Sequence, residues 1–207
     1  MDVTKKLSPE SPADLQQIRK AIRDKYAEVS ISAEGKFQYP TGKDGVKALG
    51  YAPAIIESAD TRFFESSCGV GNPFSLGNIR PGDTVLDFGC GGGFDMFVAS
   101  KLVGEGGLVC GIDLTENMVV RARENLTIAS IANFEVKKVD SETIPYDDRT
   151  FDVVISNGVI NLSPRKETCF AEIYRVLKPG GRLQFADVVL ENELPASLAG
   201  SAEAWSQ

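Results

Sequence analysis

The sequence predicts an α/β domain on a mostly parallel sheet, and three observations carry that expectation. Five segments rich in Val, Ile, Leu or Phe come after Pro81-Gly82: TVLDFG, LVCGID, NFEVKKVD, FDVVISN and GRLQFADVVL. Three segments with helical spacing, FDMFVASKLV, TENMVVRARENLT and PRKETCFAEIYRVLK, lie between them. The 207 residues are 43% apolar and 25% charged, ordinary globular usage in a chain long enough for one domain with an appendage. Strand alternating with helix is the pattern of parallel strands joined by crossovers.

The first element is announced by its cap. Ser11 stands at an N-cap position with Pro12 at N1 and Asp14 at N3, after which Leu15, Ile18, Ile22 and Tyr26 recur three or four apart, an amphipathic helix. Residues 31–83 are rich in Gly, Pro, Ser and Asp, with YAPAIIESAD and TRFFESS as short helical stretches, and read as a loosely built cap. The expected organisation is an N-terminal helical cap and lid over 1–80, a core over 81–190 and a tail over 191–207. The segment after the fifth strand is shorter than the ~30 residues of another crossover and strand. An open apolar edge invites aggregation, so the expectation is a sheet cut after its fifth strand and a natural polypeptide that continues past Gln207.

Composition removes whole classes of function. Lys plus Arg total 22 against 29 Asp plus Glu, a net charge of −7 that repels a phosphate backbone, so no nucleic-acid partner is expected. The count of zero histidines excludes imidazole bases, triads and zinc–histidine sites. The N-terminus lacks an apolar leader and no run of about 18 apolar residues occurs, so the expectation is a cytoplasmic chain without membrane attachment. Cys68, Cys90, Cys110 and Cys169 form no C-x-x-C, which predicts neither disulfides nor a metal site.

The most informative stretch runs from Val85 to Phe94, from the first strand into the first core helix. Gly89, Gly91 and Gly93 allow a tight turn and a close backbone approach to a ligand. A dinucleotide fingerprint starting at Gly89 would need glycine at 94, where Phe94 stands. Asp87 puts a carboxylate just ahead of the turn, where it repels a pyrophosphate and attracts an ammonium or sulfonium. Asp113 closes the second strand about 20 residues on, where an acid accepts from ribose hydroxyls. Asp140, with Ser141 after it, closes the third, placed to receive an adenine amino group.

With those residues in view, DFGCGGG, GIDLTENM, VDSETIP and RVLKPGGRL resemble the motifs of class I S-adenosylmethionine-dependent methyltransferases, over about residues 68–190. The chain is similar in particular to the arsenite methyltransferase branch, in GVGNPF, SNGVINLS and the IRDKYAEVS helix. The resemblance implies a Rossmann-like fold, S-adenosyl-L-methionine as cofactor and a small-molecule methyl acceptor. It implies that Asp87, Gly89, Gly91 and Gly93 surround the methionine part and that Asp113 holds the ribose. Leu114 and Met118 then flank the adenine, Asp140 and Ser141 meet its amino group, Asn157 lies beside the methionine and Tyr26 closes over the cofactor.

Departures from that branch bear on the acceptor. Two of the family's arsenic-binding cysteines are replaced by Val70 and Gly158, and its later C-terminal cysteine has no counterpart. Cys68 is the remaining acceptor-side candidate, and one thiolate is a weak site for a soft trivalent ion. Methyl transfer from a sulfonium is an in-line displacement in which proximity and alignment do much of the work, so it needs no histidine. The alternatives are a nicotinamide-dependent oxidoreductase and a non-catalytic S-adenosylmethionine-binding module.

Overall fold

The computed structural model describes residues 11–189 together with Glu191 and Trp205. Its frame is β1 (Thr84–Phe88), β2 (Leu108–Asp113), β3 (Phe134–Lys138), β4 (Phe151–Asn157) and β5 (Leu177–Ala186), hydrogen-bonded in the order β3-β2-β1-β4-β5. Every pairing is parallel, as the alternation predicts, with Val85 opposite both Val109 and Val153. Around it lie α1 (Pro12–Val29), α2 (Gly42–Ala48), α3 (Pro53–Ser58), α4 (Arg62–Glu65), α5 (Phe94–Val103), α6 (Glu116–Ile128) and α7 (Lys166–Val176).

The inner strands β1, β2 and β4 are apolar on both faces because both are covered, and successive residues divide between two cores. Val85, Val109, Val136, Val153 and Ile155 face α5 and α6, packing with Met96, Phe97, Val119, Ala122 and Leu126. Leu86, Cys110, Ile112 and Val154 face α7, packing with Cys169, Ile173 and Val176. Phe97 is among the largest fully buried side chains, so truncating it to alanine should cost about 3–5 kcal/mol.

Helix α1 starts as its sequence dictates, the Ser11 hydroxyl accepting from the Asp14 amide at 3.4 Å. Its buried face, Leu15, Ile18 and Ile22, roofs the carboxyl end of the sheet, with Ile18 and Ile22 packed beside Leu162 and Leu114. The segment from 31 to 83 is more tightly packed than a loosely built cap. Val46, Tyr51, Ile56, Phe63 and Phe64 enter the same core as Phe94 and Phe97, with ring centroids 4.9 Å apart for Phe63–Phe97 and 5.2 Å for Tyr51–Phe94. Helices α2, α3 and α4 have 7, 6 and 4 residues, and each buries an apolar anchor.

The fifth strand begins earlier than its apolar run, directly out of α7, with a register shift against β4 between Phe151 and Val153. It ends at Ala186, so Val188 and Val189 lie beyond it. The predicted tail falls outside the described residues except for Glu191 and Trp205, and Trp205 packs onto the Ile18–Ile22–Leu162 cluster. Among the described residues no helix is long and apolar enough to cross a membrane.

Candidate active site

The crossovers run outward from β1 to β3 on one side and from β4 to β5 on the other, so winding reverses between β1 and β4. Open parallel sheets bind ligands at such a switch point, outside the carboxyl ends of the strands. A cavity of about 170 Å³, partly open to solvent, lies there. Its walls are the loops after β1, β2 and β4, the face of α1 carrying Arg19, Ile22 and Tyr26, and the segment 66–69.

The glycine loop is held against the end of β2. Amides of Gly89 and Cys90 donate to the Ile112 carbonyl at 2.8 and 2.9 Å, and the Gly91 amide donates to Asp113 Oδ2 at 2.9 Å. Gly89 has φ +81°, and a Cβ there would overlap the Val159 side chain, so nothing larger than glycine fits. Asp113 Oδ1 accepts from the Thr115 amide at 2.8 Å. Both Asp113 oxygens thus hold backbone donors. Burial raises the pKa of its carboxyl, and the Thr115 and Gly91 amides work against that rise.

Asp87 has no such support. It is 2% exposed, and its Oδ2 has no hydrogen-bond partner among the described residues. Burial first, then the charges of Asp95 and Asp113, push its carboxyl well above the ordinary range. A buried acceptor left without a donor costs stability unless a ligand completes it.

Behind it is a network that the sequence pattern did not reveal. Tyr51 donates to Asp95 Oδ1 at 2.6 Å, and Asn157 Nδ2 donates to Asp95 Oδ2 at 3.0 Å and to the Gly71 carbonyl at 2.9 Å. Asn157 Oδ1 accepts from the amides of Val70 and Gly71 at 2.8 and 3.1 Å. Asn157 therefore pins the GVGNP loop to the sheet, and a Cβ at Gly69 would overlap its amide. The only sequence signal was an acid at the start of α5, ordinary for a helix N-terminus.

Of the predicted site residues, Tyr26, Cys68, Asp87, Gly89, Gly91, Asp113, Leu114, Met118, Ser141 and Asn157 line the one cavity. Gly93 stands just behind it as the left-handed N-cap of α5, φ +85°, against Ala122. Asp140 is turned to solvent and paired with Lys138 at 2.5 Å. Glu142 faces inward in its place, accepting from Arg19 of α1 and, at 3.0 Å, from the Ser163 hydroxyl. Val70 and Gly158 are neighbours, since a Cβ on Gly158 would touch Val70 Cγ1 at 3.4 Å. Burial, then the charge of Asp113, pushes the Cys68 thiol up to about 12, against the pull of Lys25, so at neutral pH it is a thiol. Cys90, Cys110 and Cys169 are buried, as expected of small core residues. No group of acids and cysteines among the described residues could hold a metal ion.

Residues 79–207 match the family described as "Methyltransferase domain". The chain is 36% identical over 197 residues to an arsenite methyltransferase of Halobacterium salinarum, covering 88% of this chain and 50% of that one. Among solved structures, an arsenic(III) S-adenosylmethionine methyltransferase from Chlamydomonas reinhardtii superposes with TM-score 0.58 at 34% identity, over 77% of this chain and 53% of that one. A SAM-dependent methyltransferase from Aquifex aeolicus gives 0.53 at 29%, over 76% and 80%. The chain spans about half the length of the curated relative it matches. These likenesses do not favour the nicotinamide and non-catalytic alternatives.

Proposed function

The chain belongs to the class I S-adenosylmethionine-dependent methyltransferases, and from that premise we propose that it moves the methyl group of S-adenosylmethionine to a small-molecule acceptor. The observation that carries this reading is Asp87, a buried carboxylate without a donor on the wall of the switch-point cavity. Its chemistry suits a cationic ligand, while Asp113 lines the same cavity and in this reading accepts ribose hydroxyls, and Gly91 leaves open space beside its Cα.

When bound, the cofactor supplies an electrophilic methyl group on a sulfonium. The chain's share is alignment and dehydration. Asp113 orients the nucleoside from the end of β2, Leu114 and Met118 offer apolar flanks, and Ser141 faces the same cavity. Tyr26, on the inner face of α1, covers the opening, and Arg19 of the same helix ties that roof to Glu142. Residues 1–80 act in this reading as cap and lid over the 81–190 core.

The acceptor we propose is a small nucleophile that requires no cluster of thiolates, because Val70 and Gly158 present none and Cys68 is protonated at neutral pH. Acidic surplus makes nucleic acid an unsuitable substrate, and we place the reaction in the cytoplasm. Calorimetry with S-adenosylmethionine tests the site, and a panel of arsenite, thiols and small phenols with labelled methyl donor tests the acceptor. Absence of binding at millimolar donor would refute the reading.

A further inference from the structure

The cleft carries more negative charge than the chain balances. Asp87 on β1, Asp95 in the first turn of α5 and Asp113 at the end of β2 all line it. Among the lining residues the one Lys or Arg is Arg19, committed to Glu142. The other titratable groups on the walls are Tyr26, Tyr51, Cys68 and Cys90, all neutral near pH 7 because burial raises each of them. Asn157, facing from β4, is uncharged, and Arg123, whose charge reaches Cys90, is bonded to the Val136 carbonyl. Asp95 has donors for both oxygens, whereas Asp87 Oδ2 has none. Two carboxylates facing one cavity without a free cation, Asp87 buried and Asp95 partly so, resist ionising together, since each charge raises the cost of the other.

We infer that Asp87 and Asp95 share a proton in the ligand-free cleft and release it when a cation enters, so that Asp95 helps sort the sulfonium donor from its neutral-sulfur product. The inference rests on the methyltransferase reading and adds to it a source of product discrimination. On donor binding the proton passes to solvent, and the sulfonium charge takes its place. Once the methyl group has left, the sulfur is neutral, the pair regains a proton from solvent, and the product is held less tightly. Burial holds both carboxyls above their ordinary range, for Asp87 with help from the charges of Asp95 and Asp113, so the exchange falls at a pH above that range. Across the exchange donor affinity climbs with pH, by up to about tenfold per pH unit for a whole proton released, and product affinity climbs less.

The test is titration calorimetry of the full chain with S-adenosylmethionine and with S-adenosylhomocysteine. It is run in two buffers of different ionisation enthalpy, from mildly acidic to neutral pH, where the ligands' own amino groups stay charged. The expected result is proton release that is larger for the donor, with a donor-to-product affinity ratio that grows with pH. Infrared difference spectra should show loss of a protonated carboxyl band on donor binding, a readout independent of turnover. Asp95→Asn, which keeps an oxygen for the Tyr51 hydroxyl, should diminish the release and flatten the ratio, leaving only the part that burial alone gives Asp87. The wild-type titrations decide the matter if that variant does not fold. Binding of both compounds without proton exchange would overturn the inference and leave the reading standing, whereas no donor binding at any pH defeats both.

Discussion

On the face of the sheet covered by α7, Arg175 grips Glu172 through two bonds of 2.8 Å, reaches Asp148 at 2.9 Å, and donates to the carbonyls of Ile144 and Tyr146. Glu172 also accepts from the Ile144 amide, and the Arg175 guanidinium holds its carboxyl below the usual range. At the carboxyl ends of β1 and β2, Asp87 and Asp113 stand without a counter-charge, and removal from water pushes their carboxyls up instead. The same chemical group has been placed under opposite conditions a few residues' breadth apart. Glu172 holds the fold with its own cation, whereas Asp87 in the cleft has an oxygen that the described residues leave without a donor.

The contrast is broken most forcefully at Arg175. Arg175→Ala should lower unfolding free energy by about 2–3 kcal/mol, discounted from a fully buried pair because the side chain is 30% exposed. Denaturant titration measures the loss, and donor affinity of the folded protein should stay unchanged. Asp113→Ala should do the converse, removing about 1.5–3 kcal/mol of donor binding, or ten- to a hundredfold in Kd by calorimetry. A comparable loss of binding in Arg175→Ala would dissolve the distinction.

Asp87→Asn sharpens it. With its folded pKa raised above the unfolded value, Asp87 contributes stability when protonated and loses it as pH rises through the raised carboxyl range. The wild-type chain should therefore soften as pH rises above the ordinary carboxylate range, and Asp87→Asn should soften less, since only the raised Asp95 and Asp113 carboxyls remain. At neutral pH the variant should be more stable by roughly 1 kcal/mol while binding the donor more weakly. Thermal melts at several pH values, with and without donor, check both halves.

Legibility in the sequence divides along the same line. Asp87, Asp113 and the glycines were legible because each stands at a fixed distance from a strand end, and strand ends are marked by apolar runs that stop. The Tyr51–Asp95–Asn157 network was not, since its members are 44 and 62 residues apart and meet only once the sheet has formed. Helix α2 went unread because GKDGVKA carries two glycines and one large apolar residue, and burial of Val46 rather than propensity holds it. The third strand end posed a choice that local pattern does not decide. Asp140 and Glu142 are both acids in one short loop, and Glu142 turns inward because Arg19 arrives from α1, a residue distant in sequence.

That choice gives the smallest expected effect. Asp140 is 78% exposed, and its pairing with Lys138, whose hydrogen bond lowers its pKa, is the kind of surface contact that solvent and salt screen. Asp140→Ala should change stability by no more than about 0.5 kcal/mol and donor affinity by no more than about twofold. Glu142→Gln, which strips Arg19 of its partner in the cleft wall, should weaken donor binding more. If calorimetry instead finds a tenfold loss for Asp140→Ala and little for Glu142→Gln, the loop after β3 must turn over when the nucleoside enters. The acid that the motif resemblance assigns to the adenine would then be reached only in the bound state, and Glu142 would serve as the latch of the empty one.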